Sequence, residues 1–256
     1  MGKSIFYLGC LLITLTAALY ENSYATNNGE KTKPLALVLF GPPGCAPGVL
    51  GVKISKAFTL PLVSTADLVH DHIKEETEIG RQARECLSAK GSIPDSLILQ
   101  MLYEHIQDGE SPHGFILEGL PRSLEQAEEL KKALSENYRH EAFYINISDD
   151  TILSRAEGRI LCQNCGRVYH KEFSPPDQAM KCDLCKNNLV QREDDSPEYV
   201  KKRLDEWRSR MVPIINFYKQ QGILKEINGN TELDATFHEI KRQIQAMSHE
   251  TLAHAE

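Results

Sequence analysis

The chain has 256 residues, which at about 150 residues per domain corresponds to one large or two small domains. Its residues are 41% hydrophobic, 25% charged and 7% aromatic, a composition that excludes a collagen-like or wholly disordered chain. With 29 Lys and Arg against 36 Asp and Glu the net charge is -7, which disfavours attraction of the whole protein to nucleic acid or to an anionic membrane. Any phosphate that the protein binds is therefore held by local groups.

The N-terminus reads as an export signal over residues 1–25. A short positive start, Met1-Gly2-Lys3, precedes an almost uncharged stretch and the small-x-small pattern Ser23-Tyr24-Ala25 of a cleavage site. The apolar stretch of about 15 residues is shorter than the ~20 that a membrane span needs. We expect a protein exported to the periplasm or the medium, without stable membrane insertion once the signal is cleaved. An uncleaved N-terminal membrane anchor is the alternative, and residues 26–33 are expected to be a disordered linker.

Three apolar runs and two amphipathic stretches then alternate along the chain. Residues 35–40 form a continuous apolar run, which is typical of a strand buried on both faces of a parallel sheet. Residues 114–117 and 142–147 repeat that pattern, whereas residues 123–137 and 196–219 have helical composition and spacing. Alternating strands and helices predict an α/β fold with a parallel sheet flanked by helices.

Four of the seven cysteines have the spacing of a zinc site. They read Cys162-x2-Cys165-x16-Cys182-x2-Cys185, and two close pairs separated by a hairpin-length segment can surround one tetrahedral ion. The intervening glycine, tyrosine and prolines favour a small β-rich unit. Disulfides formed after export are the alternative. Cys45 and Cys86 are expected to be incidental, or to form one further disulfide if they meet in the fold.

The order of several motifs resembles the adenylate kinase family, in its long-lid form with a zinc-bearing lid. The resemblance covers roughly residues 34–245 and is carried by the following segments: Gly41-Pro-Pro-Gly44, Ser64-Thr-Ala-Asp-Leu68, Gly114-Phe-Ile-Leu-Glu-Gly-Leu-Pro-Arg122, Arg155-Ala-Glu-Gly-Arg159, the four-cysteine insert, Gln191-Arg-Glu-Asp-Asp195 and Lys201-Lys-Arg203. It implies a P-loop nucleoside-monophosphate-kinase fold over residues 34–256. Within it, residues 64–93 correspond to a monophosphate-binding subdomain and residues 156–194 to the lid. The resemblance also suggests a monomer.

The resemblance assigns roles to individual residues, with AMP and ATP as the implied ligands. Gly41, Gly44 and Gly48 correspond to the loop whose backbone N–H groups bind the triphosphate. Thr65, Arg122 and Gln126 correspond to the monophosphate site, where Arg122 grips the phosphate and Gln126 hydrogen-bonds adenine. Further correspondences concern phosphoryl transfer: the lid and hinge arginines Arg155, Arg159, Arg192 and Arg203, and Glu118, which stands where similar kinases place an aspartate that orients the magnesium accompanying ATP.

The same resemblance exposes departures in the loop that follows the first strand. The family loop reads Gly-x-Pro-Gly-x-Gly-Lys-Gly-Thr, but here the phosphate-binding lysine is Pro47, which has neither the charge nor the backbone N–H. Ala46 replaces a glycine and Val49 lacks a hydroxyl near magnesium. His70 likewise stands in place of an arginine. Lys53 is a poor substitute for the lost lysine, because about 9 Å of helical rise separates it from Pro47.

We therefore expect an adenylate-kinase-like phosphotransferase, ATP + AMP = 2 ADP, whose activity is low or absent. Loss of one charge aimed at the transferring phosphoryl group costs about a factor of 100 or more. Two alternatives remain open at this point. One is an exported nucleotide-binding protein without turnover, and the other is an interaction protein that reuses the zinc-stabilised scaffold.

Overall fold

The apolar run predicted as a buried strand forms the centre of a parallel sheet. The computed structural model describes residues 33–89, 91–107, 111, 113–172, 174–191 and 193–253, so the predicted export signal and most of the predicted linker lie outside the described residues. The sheet has the strand order β2-β3-β1-β4-β8. Its strands are β1 (Leu35–Phe40), β2 (Leu62–Ser64), β3 (Gly114–Glu118), β4 (Arg139–Asn146) and β8 (Leu224–Asn228).

Helices connect these strands and cover both faces of the sheet. In the described part of the chain they are α1 (Pro47–Phe58), α2 (Thr65–Lys74), α3 (Glu78–Ser88), α4 (Asp95–Gln107), α5 (Leu124–Ser135), α6 (Asp149–Glu157), α7 (Pro197–Gln220) and α8 (Leu233–Ala253). The predicted α/β fold with a parallel sheet is thus confirmed. Helices α2 and α3 lie within residues 64–93, the stretch predicted to bind a monophosphate.

The alternation of side chains along β1 explains its unbroken apolar sequence. Ala36, Val38 and Phe40 join one buried cluster, which contains residues of α2 to α5 and the second half of α7. Their neighbours Leu35 and Leu37 join a second cluster on the other face, with residues of α1, α6 and α8. Successive side chains of a strand point to opposite faces, so a strand covered on both sides must be apolar throughout.

The segment with the cysteine pairs forms a separate antiparallel sheet of order β6-β5-β7. Its strands are β5 (Arg159–Cys162), β6 (Val168–His170) and β7 (Leu189–Val190). Residues 159–190, which contain this sheet, are called the lid segment below. The small β-rich unit predicted between the cysteines is present, and a short 3-10 helix (Glu193–Asp195) leads from it into α7.

Strand β4 begins earlier than predicted, at Arg139 rather than at Ala142. The backbone N–H of Arg139 donates to the Pro34 carbonyl oxygen at 2.8 Å, which extends the pairing with β1 past the apolar run. No helix within the described ranges combines the length and the apolar character that crossing a membrane requires.

Candidate nucleotide-binding site

The loop after β1, residues 41–49, is called the phosphate loop below. It turns tightly, because the Cys45 N–H donates to the Pro42 carbonyl oxygen at 3.1 Å, and Gly44 has a φ of 99°. Ala46 caps α1 in the left-handed conformation with a φ of 55°, and Pro47 is the first helical residue. Gly41 lines the cleft described below, and Gly48 lies in open space in the first turn of α1. The loop therefore turns directly into a helix N-terminus, a setting in which backbone N–H groups can bind phosphate.

Lys53 of α1 does not compensate for Pro47. Lys53 is turned away, since its Nζ lies 2.6 Å from Asp234 Oδ1 and 5.8 Å above the Phe237 ring of α8.

The phosphate loop also contains a buried thiol, Cys45. Burial raises the pKa of the Cys45 thiol to about 12, so it is neutral and unreactive at physiological pH. Cys45 and Cys86 are both free thiols, and the further disulfide considered above does not form.

The three residues predicted to bind a monophosphate come together beyond the end of β3. The guanidinium of Arg122 donates to Thr65 Oγ1 at 3.3 Å and to the Gly119 carbonyl oxygen at 2.8 Å. The Arg122 backbone N–H donates to Gln126 Oε1 at 2.6 Å. A Cβ on Gly119 would lie 2.2 Å from Thr65 Oγ1, and the φ of Gly119 is 94°, so only glycine permits this approach.

Gln126 carries an unsatisfied donor in this group. The residue is buried, and its Nε2 has no hydrogen-bond partner in the part of the chain that the structure describes. A buried donor without a partner costs about 1–3 kcal/mol, which a ligand acceptor would recover. This is the donor that the resemblance assigns to adenine.

The phosphate loop and the loop after β3 border a cleft of about 310 Å³, which Arg122 lines but Thr65 and Gln126 do not. The carboxyl ends of β1 and β3 meet there, because Leu39 pairs with Glu118 in the parallel register. The cleft is lined by Leu39, Phe40, Gly41, Pro47, Glu118, Gly119, Leu120, Pro121, Arg122, Trp207, Arg210 and Met211. Glu118 and Arg122 are thus the predicted site residues of β3 and its following loop that line this cleft together with Gly41.

Arg155 lies behind the phosphate loop and is bound to backbone carbonyl oxygens. Its guanidinium donates to Gly44 at 3.3 Å, to Gly229 at 2.9 Å and to Thr231 at 2.8 Å. Burial lowers the pKa of Arg155. These bonds tie the phosphate loop to the segment that follows β8, so Arg155 positions backbone in this structure.

Two other predicted arginines share a buried carboxylate. Arg159 lies 3.2 Å and Arg203 lies 3.7 Å from Asp195 Oδ1, and the Asp195 side chain is fully buried. Arg203 also lies 3.6 Å from Asp194. The base of the lid segment is thereby joined to α7. Arg192, the remaining arginine of the predicted set, lies outside the described residues.

The four predicted metal ligands lie together at one end of the lid segment. Their Sγ atoms all lie within 4.8 Å of one another. Cys162 and Cys185 are 3.4 Å apart, Cys165 and Cys182 are 3.5 Å apart, and all four are free thiols. In a tetrahedral zinc site with Zn–S bonds of about 2.3 Å the sulfurs are about 3.8 Å apart, whereas a disulfide bond is about 2.05 Å long. The arrangement fits a zinc ion.

Hydrogen bonds prepare two of these sulfurs for a cation. The N–H groups of Asn187 lower the pKa of Cys185 to about 5. The Tyr169 hydroxyl, 3.5 Å from the sulfur, lowers the pKa of Cys182. Because the thiolate is the form that binds metal, both contacts favour the ligating state.

Sequence reasoning missed the three cleft residues of α7, which are Trp207, Arg210 and Met211. They line the same cleft as Pro47. The signal was available, because Arg203, Trp207 and Arg210 follow one another at intervals of four and three and therefore share one face of the helix.

Comparisons with known proteins agree with this geometry. A family profile described as adenylate kinase matches residues 39–223. A curated adenylate kinase of Caldicellulosiruptor bescii is 35% identical over 212 residues, which are 82% of this chain and 99% of that protein. One of Clostridium kluyveri is 34% identical over 215 residues, 83% of this chain and 99% of that protein. One of Caldanaerobacter subterraneus subsp. tengcongensis is 36% identical over 212 residues, 82% and 96% of the two chains.

Proposed function

The chain belongs to the adenylate kinase family, whose homology supports nucleoside monophosphate kinase function, and we propose that its phosphoryl transfer is strongly impaired at the phosphate loop. The reaction is ATP + AMP = 2 ADP. An AMP phosphate oxygen forms a bond to the γ-phosphorus of ATP, the bond from that phosphorus to the β-γ bridging oxygen breaks, and ADP leaves. No covalent enzyme intermediate is needed, so catalysis rests on positioning and on charge.

The observation that carries this proposal is Pro47 at the rim of the cleft. Proline offers neither an ammonium group nor a backbone N–H to the phosphates. Lys53 is held by Asp234 instead of reaching back. Removing one preorganised donor or charge from a transferring group typically lowers the rate by about 100-fold or more.

The remaining predicted residues keep their roles within this proposal. Arg122 and Thr65 would bind the monophosphate, and Gln126 Nε2 would donate to its adenine, since that buried donor is otherwise unpaired. Arg159, Arg192 and Arg203 would bind the transferring phosphoryl group after release from the carboxylates that two of them now contact. Glu118 would orient the magnesium that enters with ATP, although its side chain is one methylene longer than aspartate.

Zinc would be held by the four cysteines and would serve structure rather than chemistry. A zinc site with four thiolate ligands is closed to substrate.

Export through residues 1–25, or anchoring through them, is proposed on the sequence pattern. Amino-terminal sequencing of protein recovered from cell fractions tests it, because a mature chain that starts near Thr26 is expected outside the cytoplasm.

A coupled ADP-formation assay with ATP, AMP and magnesium tests the impairment. We expect turnover of the natural protein far below ~10 per second, the usual enzyme median, and an increase of about 100-fold or more in a Pro47→Lys, Val49→Thr double variant. The Val49→Thr single variant is the matched control. Natural turnover near the enzyme median would contradict the proposal.

One further outcome identifies the second candidate function. Nucleotide binding without turnover in both proteins would indicate a binding protein. The assembled contacts of Thr65, Arg122 and Gln126 favour that reading over a scaffold without ligand.

A further inference from the structure

An arginine of α7 lines the same cleft as Pro47, the position from which the lysine charge is missing. Arg210 lines the cleft together with Pro47 and Arg122. Its Nε donates to the Glu206 carbonyl oxygen of its own helix at 3.2 Å, which leaves the two terminal nitrogens of the fork for other acceptors. Arg210 is exposed, and no carboxylate of the described residues pairs with it.

Five other basic side chains of the protein already form ion pairs or hydrogen bonds. Those with acidic or carbonyl partners are Lys53 with Asp234, Arg155 with three carbonyl oxygens, Arg159 and Arg203 with Asp195, and Arg208 with Asp149. Arg208 and Arg210 differ sharply in this respect although they are two residues apart. In the described residues that border the cleft, Arg122 and Arg210 are the cations without a carboxylate partner.

The surroundings of Arg210 suit an anion. Glu118 is the acidic residue lining the same cleft, so an anionic ligand there needs positive groups to offset that carboxylate. The ring of Trp207 lies one helical turn before Arg210 and stacks on Tyr144 with centroids 6.2 Å apart, which fixes the adjacent wall. A guanidinium presents planar paired donors that match phosphate oxygens.

We propose that Arg210 is a phosphate-binding residue that replaces part of the charge lost at Pro47. This proposal rests on the proposed function. Its terminal nitrogens donate to phosphate oxygens of a nucleotide in the cleft that Arg122 also lines. The replacement is partial, because an arginine on α7 approaches the phosphates from a different side than a lysine in the phosphate loop does. Binding is therefore retained better than transfer.

Trp207 supplies the readout, because it is the single tryptophan of the chain and lines the cleft. The full chain is titrated with ADP, with inorganic pyrophosphate and with adenosine, by tryptophan fluorescence and by calorimetry. We expect Arg210→Gln to raise the Kd for ADP and pyrophosphate by about tenfold to hundredfold, the range of a charge-assisted hydrogen bond. Adenosine, which lacks phosphate, should bind both proteins equally.

The matched control is Arg242→Gln, which removes an exposed arginine of α8 that does not line the cleft. It should leave every Kd within twofold of the natural protein. An equally small change in Arg210→Gln, or failure of the natural protein to bind either phosphate ligand, would overturn the assignment. Circular dichroism verifies that both variants fold.

A double variant distinguishes replacement from mere proximity. If Arg210 stands in for the lysine, its loss should weaken pyrophosphate binding at least threefold less in a Pro47→Lys background than in the natural one. Equal losses in both backgrounds would refute the replacement. The result is separable from the proposed function, since pyrophosphate binding decides on Arg210 even if no variant forms ADP.

Discussion

The phosphate loop and the lid segment are both built on tight turns that follow a strand, but they differ in what their key side chains do. In the lid segment the four thiols converge within 4.8 Å. Two similar turns present them, with Gly166 N–H donating to the Cys162 carbonyl oxygen and Lys186 N–H to that of Cys182, both at 2.8 Å. The phosphate loop keeps its backbone path into α1 but has lost the lysine, one glycine and the hydroxyl of the family motif.

Loss of the key side chains has different consequences for stability in these two regions. A metal ligand both performs its chemistry and holds the surrounding chain together, so changing one removes folding free energy. The lysine of a phosphate loop performs chemistry but supports little structure. Proline at the first position of a helix is favourable for the fold, because its φ is preset and the missing N–H had no intrahelical partner. We therefore expect Pro47 to favour local stability at the expense of phosphoryl transfer.

The largest expected effect is loss of a metal ligand. Cys182→Ser removes one of four thiolates from a site whose binding free energy is of the order of 10 kcal/mol. We expect bound zinc, measured by atomic emission, to fall from one ion per chain to almost none, and limited proteolysis to cut within residues 159–190. Cys86→Ser, a thiol outside the cluster, should leave both results unchanged. Full zinc content in Cys182→Ser would contradict the prediction.

The next effect concerns His140, a buried histidine of β4 in the parallel sheet that carries the phosphate loop. His140 is buried, its ring stacks edge-on against Tyr218 at 5.4 Å, and neither ring nitrogen has a hydrogen-bond partner among the described residues. Burial lowers the pKa of His140 from 6.5 to about 4, with a smaller contribution from Lys131. Unfolded chains therefore bind this proton first as the pH falls.

The resulting stability is present above pH ~6.5 and is lost progressively towards pH ~4, by about 3 kcal/mol in total. We expect His140→Leu to remove this part of the pH dependence. The free energy of unfolding of the variant, compared with that of the natural protein at the same pH, should therefore be higher at pH 5 than at pH 7.5. Urea unfolding at the two pH values measures it. His113→Leu, at an exposed histidine, is the control and should keep the natural pH dependence.

A smaller effect compares the turns directly. Ala46 in the phosphate loop and Lys186 in the lid segment both have left-handed backbone, with φ of 55° and 60°. Changing either to glycine should relieve strain worth about 1 kcal/mol, as judged by urea unfolding for Ala46→Gly and by resistance to a zinc chelator for Lys186→Gly. Gly166→Ala is the inverse control, because Gly166 has a φ of 73° with open space around it. A stabilising Gly166→Ala would contradict the argument.

The smallest expected change in stability is that of Pro47→Lys, which should change stability and activity in opposite directions. Pro47→Lys should lower the free energy of unfolding by about 0.5 kcal/mol, since it restores freedom to the unfolded chain at a helical position that suits proline. The same variant should raise turnover. Urea unfolding and ADP-formation assays on the same variant measure both quantities. A gain in stability would contradict the argument that Pro47 stabilises the start of α1.

Local patterns in the sequence predicted β1, β3 and β4 of the parallel sheet, the helices α5 and α7, and the cysteine cluster. The run over residues 35–40 had to be a strand covered on both faces, and the paired Cys-x-x-Cys spacing carried its own turn geometry. The order of the motifs indicated the adenylate kinase family, and the reading of Pro47 as a departure needed no coordinates. Each of these signals lies within a few residues of the group that it describes.

The contact partners of the charged side chains depend on the tertiary structure and could not be predicted from the sequence. Lys53 is held by Asp234, 181 residues away, and this contact removes it as a substitute for the lysine. The placement of Arg210 in the cleft that Pro47 also lines, and the burial of His140 against Tyr218, likewise depend on how α7 packs on the sheet. Such contacts are selected by packing between segments that are distant in the chain, and hydrophobic periodicity specifies which face of a helix is buried but not which residue it meets.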